Sequence, residues 1–181
     1  GLSNSLIKAK TLCLEALEID RQLGSRVNRP GAVARELATL GEIEMILGNY
    51  GKARELMEEA ISLIIDRPNH GGIQFNLNFL GLACLYLKDY AAARKNYLWG
   101  MEIAYEVGDK NLPTLCNLSY LVCLQGEYEQ ALYYFKEVFR QLPDGEIMLF
   151  MILNGWLVQL PRVLTACGEP ERAARLYGFT H

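Results

Sequence analysis

The chain has 181 residues, which is enough for one domain, or one uninterrupted array of repeats, with a substantial buried core. Hydrophobic residues make up 51% of it and charged residues 22%, a composition that excludes an intrinsically disordered protein. The net charge of -3 supplies no general attraction for phosphate backbones or anionic lipid, so we expect no direct nucleic-acid partner.

Apolar spacing and chain breakers predict helices throughout and no β-sheet. In chain order, the predicted helices lie near residues 3–23, 31–47, 50–65, 71–88, 90–107, 111–125, 128–141, 146–167 and 170–178. Several glycines fall at or near predicted C-terminal ends, where a left-handed backbone residue is least costly. They are Gly24, Gly48, Gly108, Gly126 and Gly168. The chain is therefore predicted to be all-α.

Four segments repeat one pattern, in which a residue of one helix is followed by an alanine 12 positions later in the next helix. The pairs are Gly41 with Ala53, Gly81 with Ala93, Ser119 with Ala131 and Pro161 with Ala173. Successive copies are spaced by 40, 38 and 42 residues, so the insertions fall in the loops between hairpins. Small residues on facing helices let two backbones approach closely. The first residue of the pair is small in three copies, and in the fourth copy it is Pro161.

Large side chains complete the pattern at constant offsets from the alanines. Tyr50, Tyr90 and Tyr128 precede the alanine by three positions. Met57, Tyr97 and Phe135 follow it by four. These residues resemble the tetratricopeptide repeat, although the family's early tryptophan is absent. The resemblance implies an all-α fold, a right-handed α-α superhelix (solenoid) of tetratricopeptide-like helical hairpins, in which the tyrosines wedge the turns.

The repeats predict a single array over residues 1–181. Its complete copies span about 31–65, 71–107, 111–141 and 146–178. Helix 3–23 carries Ala9, Cys13 and Ala16 at the spacing of a second helix, so it is interpreted as the second half of a truncated repeat. Terminal repeats usually carry polar caps, and neither end of this chain does. We therefore expect it to be a fragment of a longer protein.

A closer resemblance is carried by the stretch Gly168-Glu169-Pro170-Glu171-Arg172-Ala173-Ala174-Arg175-Leu176-Tyr177-Gly178. It is similar to a segment near the end of tetratricopeptide regions in bacterial LuxR-type transcriptional regulators and large signalling (STAND) ATPases. That resemblance implies a sensor or docking role beside nucleotide-binding and effector domains elsewhere in the parent protein. The chain itself contains no phosphate-binding loop of the G-x-x-x-x-G-K-[ST] type.

The sequence gives no sign of export or of a membrane partner. The longest uncharged apolar run, residues 147–160, is shorter than the about 18 residues of a membrane helix, and the N-terminus lacks a basic signal region. Five cysteines form no CxxC pair, which is typical of reduced, buried thiols. We expect a cytoplasmic protein.

Catalytic and metal-binding residues are not predicted, and no cofactor is expected. His70 lies in a predicted loop and His181 is the last residue, so the two cannot form a two-histidine metal motif on one helix. Cys116 and Cys123 share a helical face but have no further ligands at a suitable spacing, and packing is the simpler explanation for them. A repeat-based phosphatase would require clustered carboxylates and amides on one face, which the pattern does not provide.

The candidate binding surface is the inner face formed by the first helix of each hairpin, as the tetratricopeptide resemblance implies. Its predicted residues are Arg35, Glu42, Met45, Phe75, Asn78, Leu82, Leu85, Cys116, Asn117, Tyr120 and Arg162. The set is more apolar and aromatic than charged, which favours an extended segment with apolar anchors over a strongly acidic tail. The alternative is that several of these side chains simply pack against adjacent helices.

Two functions follow as hypotheses. The first is a non-catalytic module that binds a protein or an extended peptide, including other domains of the parent chain. The alternative is a structural scaffold that self-associates as a homo-oligomer or braces neighbouring domains through apolar patches at the ends of the array.

Overall fold

The computed structural model describes residues 2–27, 30–66, 72–142 and 156–176 of the chain. These residues form nine α-helices and no strand. We number the helices in chain order: α1 Leu2–Val27, α2 Pro30–Ile46, α3 Tyr50–Ser62, α4 Ile73–Tyr86, α5 Tyr90–Glu106, α6 Leu112–Leu124, α7 Tyr128–Gln141, α8 Trp156–Ala166 and α9 Pro170–Leu176. The predicted all-α repeat fold is confirmed.

Most predicted helices begin and end within three residues of the observed ones. The exception is α1, which continues to Val27, so the prediction that Gly24 lies at a helix end is wrong. A glycine inside a helix costs only about 1 kcal/mol relative to alanine, and it does not by itself stop the helix. His70, His181, residues 146–155 and residues 177–178 lie outside the described residues.

The chain divides into two compact units, residues 1–103 and 104–181. In the first unit, α2 packs against α1, α3 and α4, and α3 also packs against α4. In the second unit, α6 packs against α7 and α8, and α8 packs against α7 and α9. Within each unit, these contacts join helices that are consecutive or nearly so in sequence, as consecutive hairpins do.

The small residues of the repeat lie where helices approach most closely. A Cβ atom built on Gly81 would be 2.4 Å from Cε1 of Tyr97, whose side chain is fully buried. On Gly41 it would be 2.8 Å from the terminal methyl carbon of Met57. Ser119, the counterpart in the third copy, is fully buried and donates its hydroxyl to the carbonyl of Cys116 at 2.7 Å. The predicted packing role of these positions is therefore confirmed.

The turn inside each hairpin has the same backbone hydrogen bonds in all four copies. After α2, the amide of Gly48 donates to the carbonyl of Met45, and that of Asn49 donates to Glu44 at 2.9 Å. This pattern ends a helix through a residue in the left-handed conformation. Gly48, Gly126 and Gly168 have φ values of 80°, 79° and 80°, and Lys88 takes the same position with φ 63°.

Helix α1 is attached to the rest of the first unit by packing and by charge. Cys13 and Leu17 are its buried hydrophobic residues. Lys10 forms a 2.7 Å ion pair with Glu44, a residue of α2 that is only 4% exposed. Glu44 also accepts a 2.7 Å hydrogen bond from the side-chain amide of Asn49. Burial would raise the pKa of Glu44, but these hydrogen bonds and the charge of Lys10 lower it overall.

One face of α1 remains open. Ala9, Leu12 and Ala16 of this face correspond in spacing to Ala53, Leu56 and Ala60, which are buried in helix α3. Leu12 is 55% exposed, whereas Leu56 is 5% exposed. Ile19, on the same face as Leu12, is 56% exposed. Among the described helices, α2 is the one that packs against α1, and this apolar stripe stays exposed.

The two glycines predict different responses to alanine. Gly81→Ala would force a methyl group into the ring of Tyr97, and overpacking of this kind costs about 1–3 kcal/mol, more than the helix propensity gained. Gly41→Ala meets the flexible end of Met57, which can shift, so we expect a change in unfolding free energy within about 1 kcal/mol. Urea unfolding of both variants measures the difference.

Gly51→Ala is the matched control, because nothing lies within 4 Å of a Cβ atom built at this position of α3. We expect it to be neutral or slightly stabilising. Equal unfolding free energies for Gly41→Ala and Gly81→Ala would show that the contact with Tyr97 does not set the helix separation.

Candidate functional site

A groove of 270 Å³ lies in the first unit between α2 and α4. We call it the α2–α4 groove; it is lined by Glu42, Met45, Ile46, Tyr50, Phe79, Leu82 and Tyr86. Three of these, Glu42, Met45 and Leu82, belong to the predicted inner face. Met45 and the partly buried Leu82 pack with Ala53 and Ala83, so the floor of the groove is continuous with the core.

The wall of the groove is aromatic and open to solvent. The rings of Tyr50 and Tyr86 stack with their centroids 4.5 Å apart and an angle of 9° between their planes. Tyr86 nevertheless stays 54% exposed, and Ile46 is 64% exposed. Stacking fixes the orientation of Tyr86 and leaves part of its surface free, so this wall is an ordered apolar contact surface.

Glu42 is the charged residue of the groove. Its side chain is half-buried among apolar neighbours, and this burial raises its pKa above the ordinary value. Among the described residues no ion pair neutralises Glu42. The groove therefore combines an apolar lining with one carboxylate in a partly desolvated position.

The other predicted residues of the first unit differ in exposure. Phe75 is 48% exposed and Arg35 is exposed, with its guanidinium 3.2 Å from the carboxylate of Glu36. Asn78 and Leu85 are buried, at 7% and 6% exposure. Burial of these last two residues supports the packing alternative for them, because a ligand could reach neither side chain without moving a helix.

The second unit contains the remaining predicted residues. Cys116 is 4% exposed, Asn117 is half-buried and Tyr120 is 39% exposed. Arg162 lies over the ring of Tyr128, with 6.0 Å from its guanidinium carbon to the ring centroid, which is a cation–π geometry. Of these four, Tyr120 and Arg162 have exposed side chains that a partner can reach.

Sequence reasoning missed four residues of the groove: Ile46, Tyr50, Phe79 and Tyr86. The repeat pattern predicts only a turn wedge at Tyr50. Ile46 and Tyr86 follow the small residue of their helix by five positions, and Leu124 does so in the third copy. All three are large, apolar and at least 46% exposed. A row of exposed apolar side chains at one repeat position was thus a signal that could have been found.

Two other grooves lie between consecutive second helices of the repeat. In the first unit, a 410 Å³ groove has a rim residue, Arg54, that is already paired with Glu58 at 2.9 Å and Asp89 at 3.2 Å. In the second unit, a 360 Å³ groove is lined by Leu132, Phe135, Lys136, Phe139, Leu160, Leu164, Arg172 and Arg175. The α2–α4 groove differs from the first of these in presenting large apolar side chains to solvent.

Within the described ranges, His, Cys, Asp and Glu form no group of three or more that could hold a metal ion. Across the same ranges, none of the helices has both the length and the apolar character needed to cross a bilayer.

The repeated hairpins define an all-α helical-repeat fold. Residues 32–106 match the model of the tetratricopeptide repeat family. This match covers the α2–α4 groove. The part of the chain that contains α2–α5 is therefore similar to the tetratricopeptide repeat family.

Two solved structures are similar to the chain over most of its length. BtubC (BKLC) from P. vanneervenii aligns with a TM-score of 0.60 and 14% sequence identity, covering 96% of this chain and 91% of its own. The MamA protein aligns with a TM-score of 0.63 and 14% identity, covering 94% and 88%. At this identity the likeness shows the fold alone. No curated protein matches the sequence.

The cysteines are free thiols in packed surroundings. Burial raises the pKa of Cys116 to about 12 and that of Cys123 to about 11. Burial together with Glu36 raises the pKa of Cys13 to about 11. Cys167 is half-buried, whereas the others are buried. Since the thiolate is the nucleophile and the metal ligand, these surroundings favour packing over redox or metal chemistry.

We therefore expect iodoacetamide at neutral pH to alkylate Cys167 first in the folded protein. Cys116 and Cys123 should react only slowly, because both thiols are buried and because neutral pH lies far below their raised pKa, so that they stay protonated. Mass spectrometry of peptides after timed labelling measures each site, with urea-unfolded protein as the control in which all five react. Rapid native labelling of Cys116 would contradict the packing interpretation.

Proposed function

We propose that the chain is a non-catalytic module that binds an extended protein segment in the α2–α4 groove. The observation that carries the proposal is the pair of ordered, exposed apolar side chains, Ile46 and Tyr86, above a floor of Met45 and Leu82. Exposed apolar surface in a groove favours association because water is released from it. An extended segment would place alternate apolar side chains on Ile46 and Tyr86.

The wider role that we propose is the sensor or docking region of a bacterial transcriptional regulator or signalling ATPase acting in the cytoplasm. Its support is the resemblance of the stretch 168–178, part of which forms helix α9. The bound segment then belongs to a partner protein or to another domain of the parent chain. The charge of -3 and the apolar lining of the groove give no basis for a nucleic-acid or membrane partner.

Selection from a displayed library of random peptides tests the groove. We expect enriched sequences to carry apolar anchors and to bind Ile46→Ser about fivefold more weakly than the original protein, since one buried aliphatic contact is worth about 1 kcal/mol. Fluorescence anisotropy with the enriched peptides gives the affinities.

Leu98→Ser is the matched control, because Leu98 is an exposed apolar residue of α5 that does not line the groove. Its affinities should equal those of the unchanged protein. Enriched peptides that bind Ile46→Ser as tightly as the original would remove the α2–α4 groove as the site.

A second candidate function is self-association, and the open apolar face of α1 favours it. Leu12 and Ile19 are 55% and 56% exposed on the side of the helix that has no partner among the described helices. Burying such a stripe against a second helix would remove its apolar side chains from water. The array would then act as a scaffold.

Sedimentation at several protein concentrations tests this alternative. If α1 pairs, the original chain should sediment as a dimer at high concentration, and the double variant Leu12→Lys/Ile19→Lys should stay monomeric, because two charges at an apolar contact oppose its desolvation. The Leu98→Ser variant again serves as the control. A monomer at every concentration would exclude the scaffold function.

A further inference from the structure

The charge of the α2–α4 groove restricts what it can bind. Of the seven described side chains that line it, Glu42 alone is charged, and the other six are apolar or aromatic. A carboxylate that is half-buried beside apolar groups loses hydration without gaining a partner. A ligand that brings a cation to this position supplies the missing interaction.

Three cations of the first unit, on α1, α2 and α3, are engaged with other carboxylates. Arg35 lies 3.2 Å from Glu36, and Lys10 lies 2.7 Å from Glu44. Lys52, which follows Tyr50 by two positions, is 2.8 Å from Glu55. Within the described part of the chain, each of these positive charges has a carboxylate other than Glu42 as its neighbour. Glu42 is thus open to a charge that comes from outside.

We infer that the α2–α4 groove selects extended segments in which a lysine or arginine lies next to an apolar anchor, with the cation at Glu42 and the anchor on Ile46 and Tyr86. This inference rests on the proposed function, since it names the ligand class of the same groove. It also excludes acidic segments as ligands, because a second carboxylate would be brought against Glu42 in a partly desolvated site.

The aromatic wall supports the same ligand class. Tyr86 is held in a stack by Tyr50 and stays 54% exposed, so an apolar anchor can pack on it beside a cation at Glu42. The methylene groups of a lysine or arginine can contact apolar surface while the charged end reaches a carboxylate. A basic side chain can therefore pack its methylene groups on the apolar lining and place its charge at Glu42. An acidic side chain has neither the reach nor the sign of charge to do this.

Three synthetic peptide pools of about nine residues test the inference. The pools share the same leucine and phenylalanine anchors and have blocked ends, and they differ only in one central position, which is lysine or arginine, glutamine, or glutamate. We expect the basic pool to bind the full chain roughly threefold to tenfold more tightly than the glutamine pool, as one ion pair in a half-buried site predicts. The glutamate pool should bind more weakly than both. Fluorescence anisotropy measures the affinities.

The Glu42→Gln variant shows whether the preference arises at Glu42. Its ratio of basic-pool to glutamine-pool affinity should fall to about one, because the carboxylate has been replaced by a neutral group of the same shape. Glu15→Gln removes a carboxylate from an exposed position of α1 outside the groove and should keep the ratio of the unchanged protein. Added salt should reduce the ratio for the unchanged protein and leave it constant for Glu42→Gln.

The outcomes separate the two proposals. Equal binding of all three pools, with weaker binding to Ile46→Ser, would overturn the preference for a cation and retain the groove as an apolar peptide site. A preference that persists in Glu42→Gln would also overturn the inference, since the cation would then contact another group. Failure of every pool to bind, with both variants folded by circular dichroism, would reject the proposed function itself.

Discussion

The distance between paired helices is the constraint on which the rest of the structure depends. At Gly81 the ring of Tyr97 occupies the space that a Cβ atom would need, and at Gly41 the side chain of Met57 does the same. Because each large residue fills the gap left by a small one, a hairpin has one favoured separation and one favoured register. The repeated hydrogen bonds at the turns then fix the direction in which the second helix starts. Every surface of the array, including the α2–α4 groove, inherits its shape from these contacts.

Helix positions were predictable because this constraint leaves a clear sequence signature. A glycine in the left-handed conformation stands at the end of the first helix in three copies, and apolar spacing defines the faces between. Lys88 shows that the turn geometry is set by packing rather than by glycine, since it adopts φ 63° at the equivalent position. Gly24 shows the converse, since a glycine predicts a helix end there but α1 continues to Val27, because a helix accepts glycine where no tight turn follows it.

The candidate site was only partly predictable. Counting positions within one repeat found Glu42 and Leu82, which line the groove, but it also selected Asn78 and Leu85, which adjacent helices bury. Exposure depends on the neighbouring repeat, and a pattern derived from one hairpin does not contain that information. Tyr86 illustrates the point, because its place in the groove depends on stacking with Tyr50 of the preceding hairpin. The partial burial of the Glu42 carboxylate likewise depends on the positions of the apolar residues around it, which the sequence pattern does not contain.

The link between Lys10, Glu44 and Asn49 has a consequence for how the domain can be shortened. Removal of α1 would expose the apolar surface of α2 and would also leave Glu44 as a carboxylate in a covered position without its ammonium partner. Asn49, which binds the same carboxylate, belongs to the turn that precedes Tyr50. A minimal fragment that starts at α2 would therefore disturb the segment leading into the aromatic wall, so the smallest autonomous version of the groove includes α1.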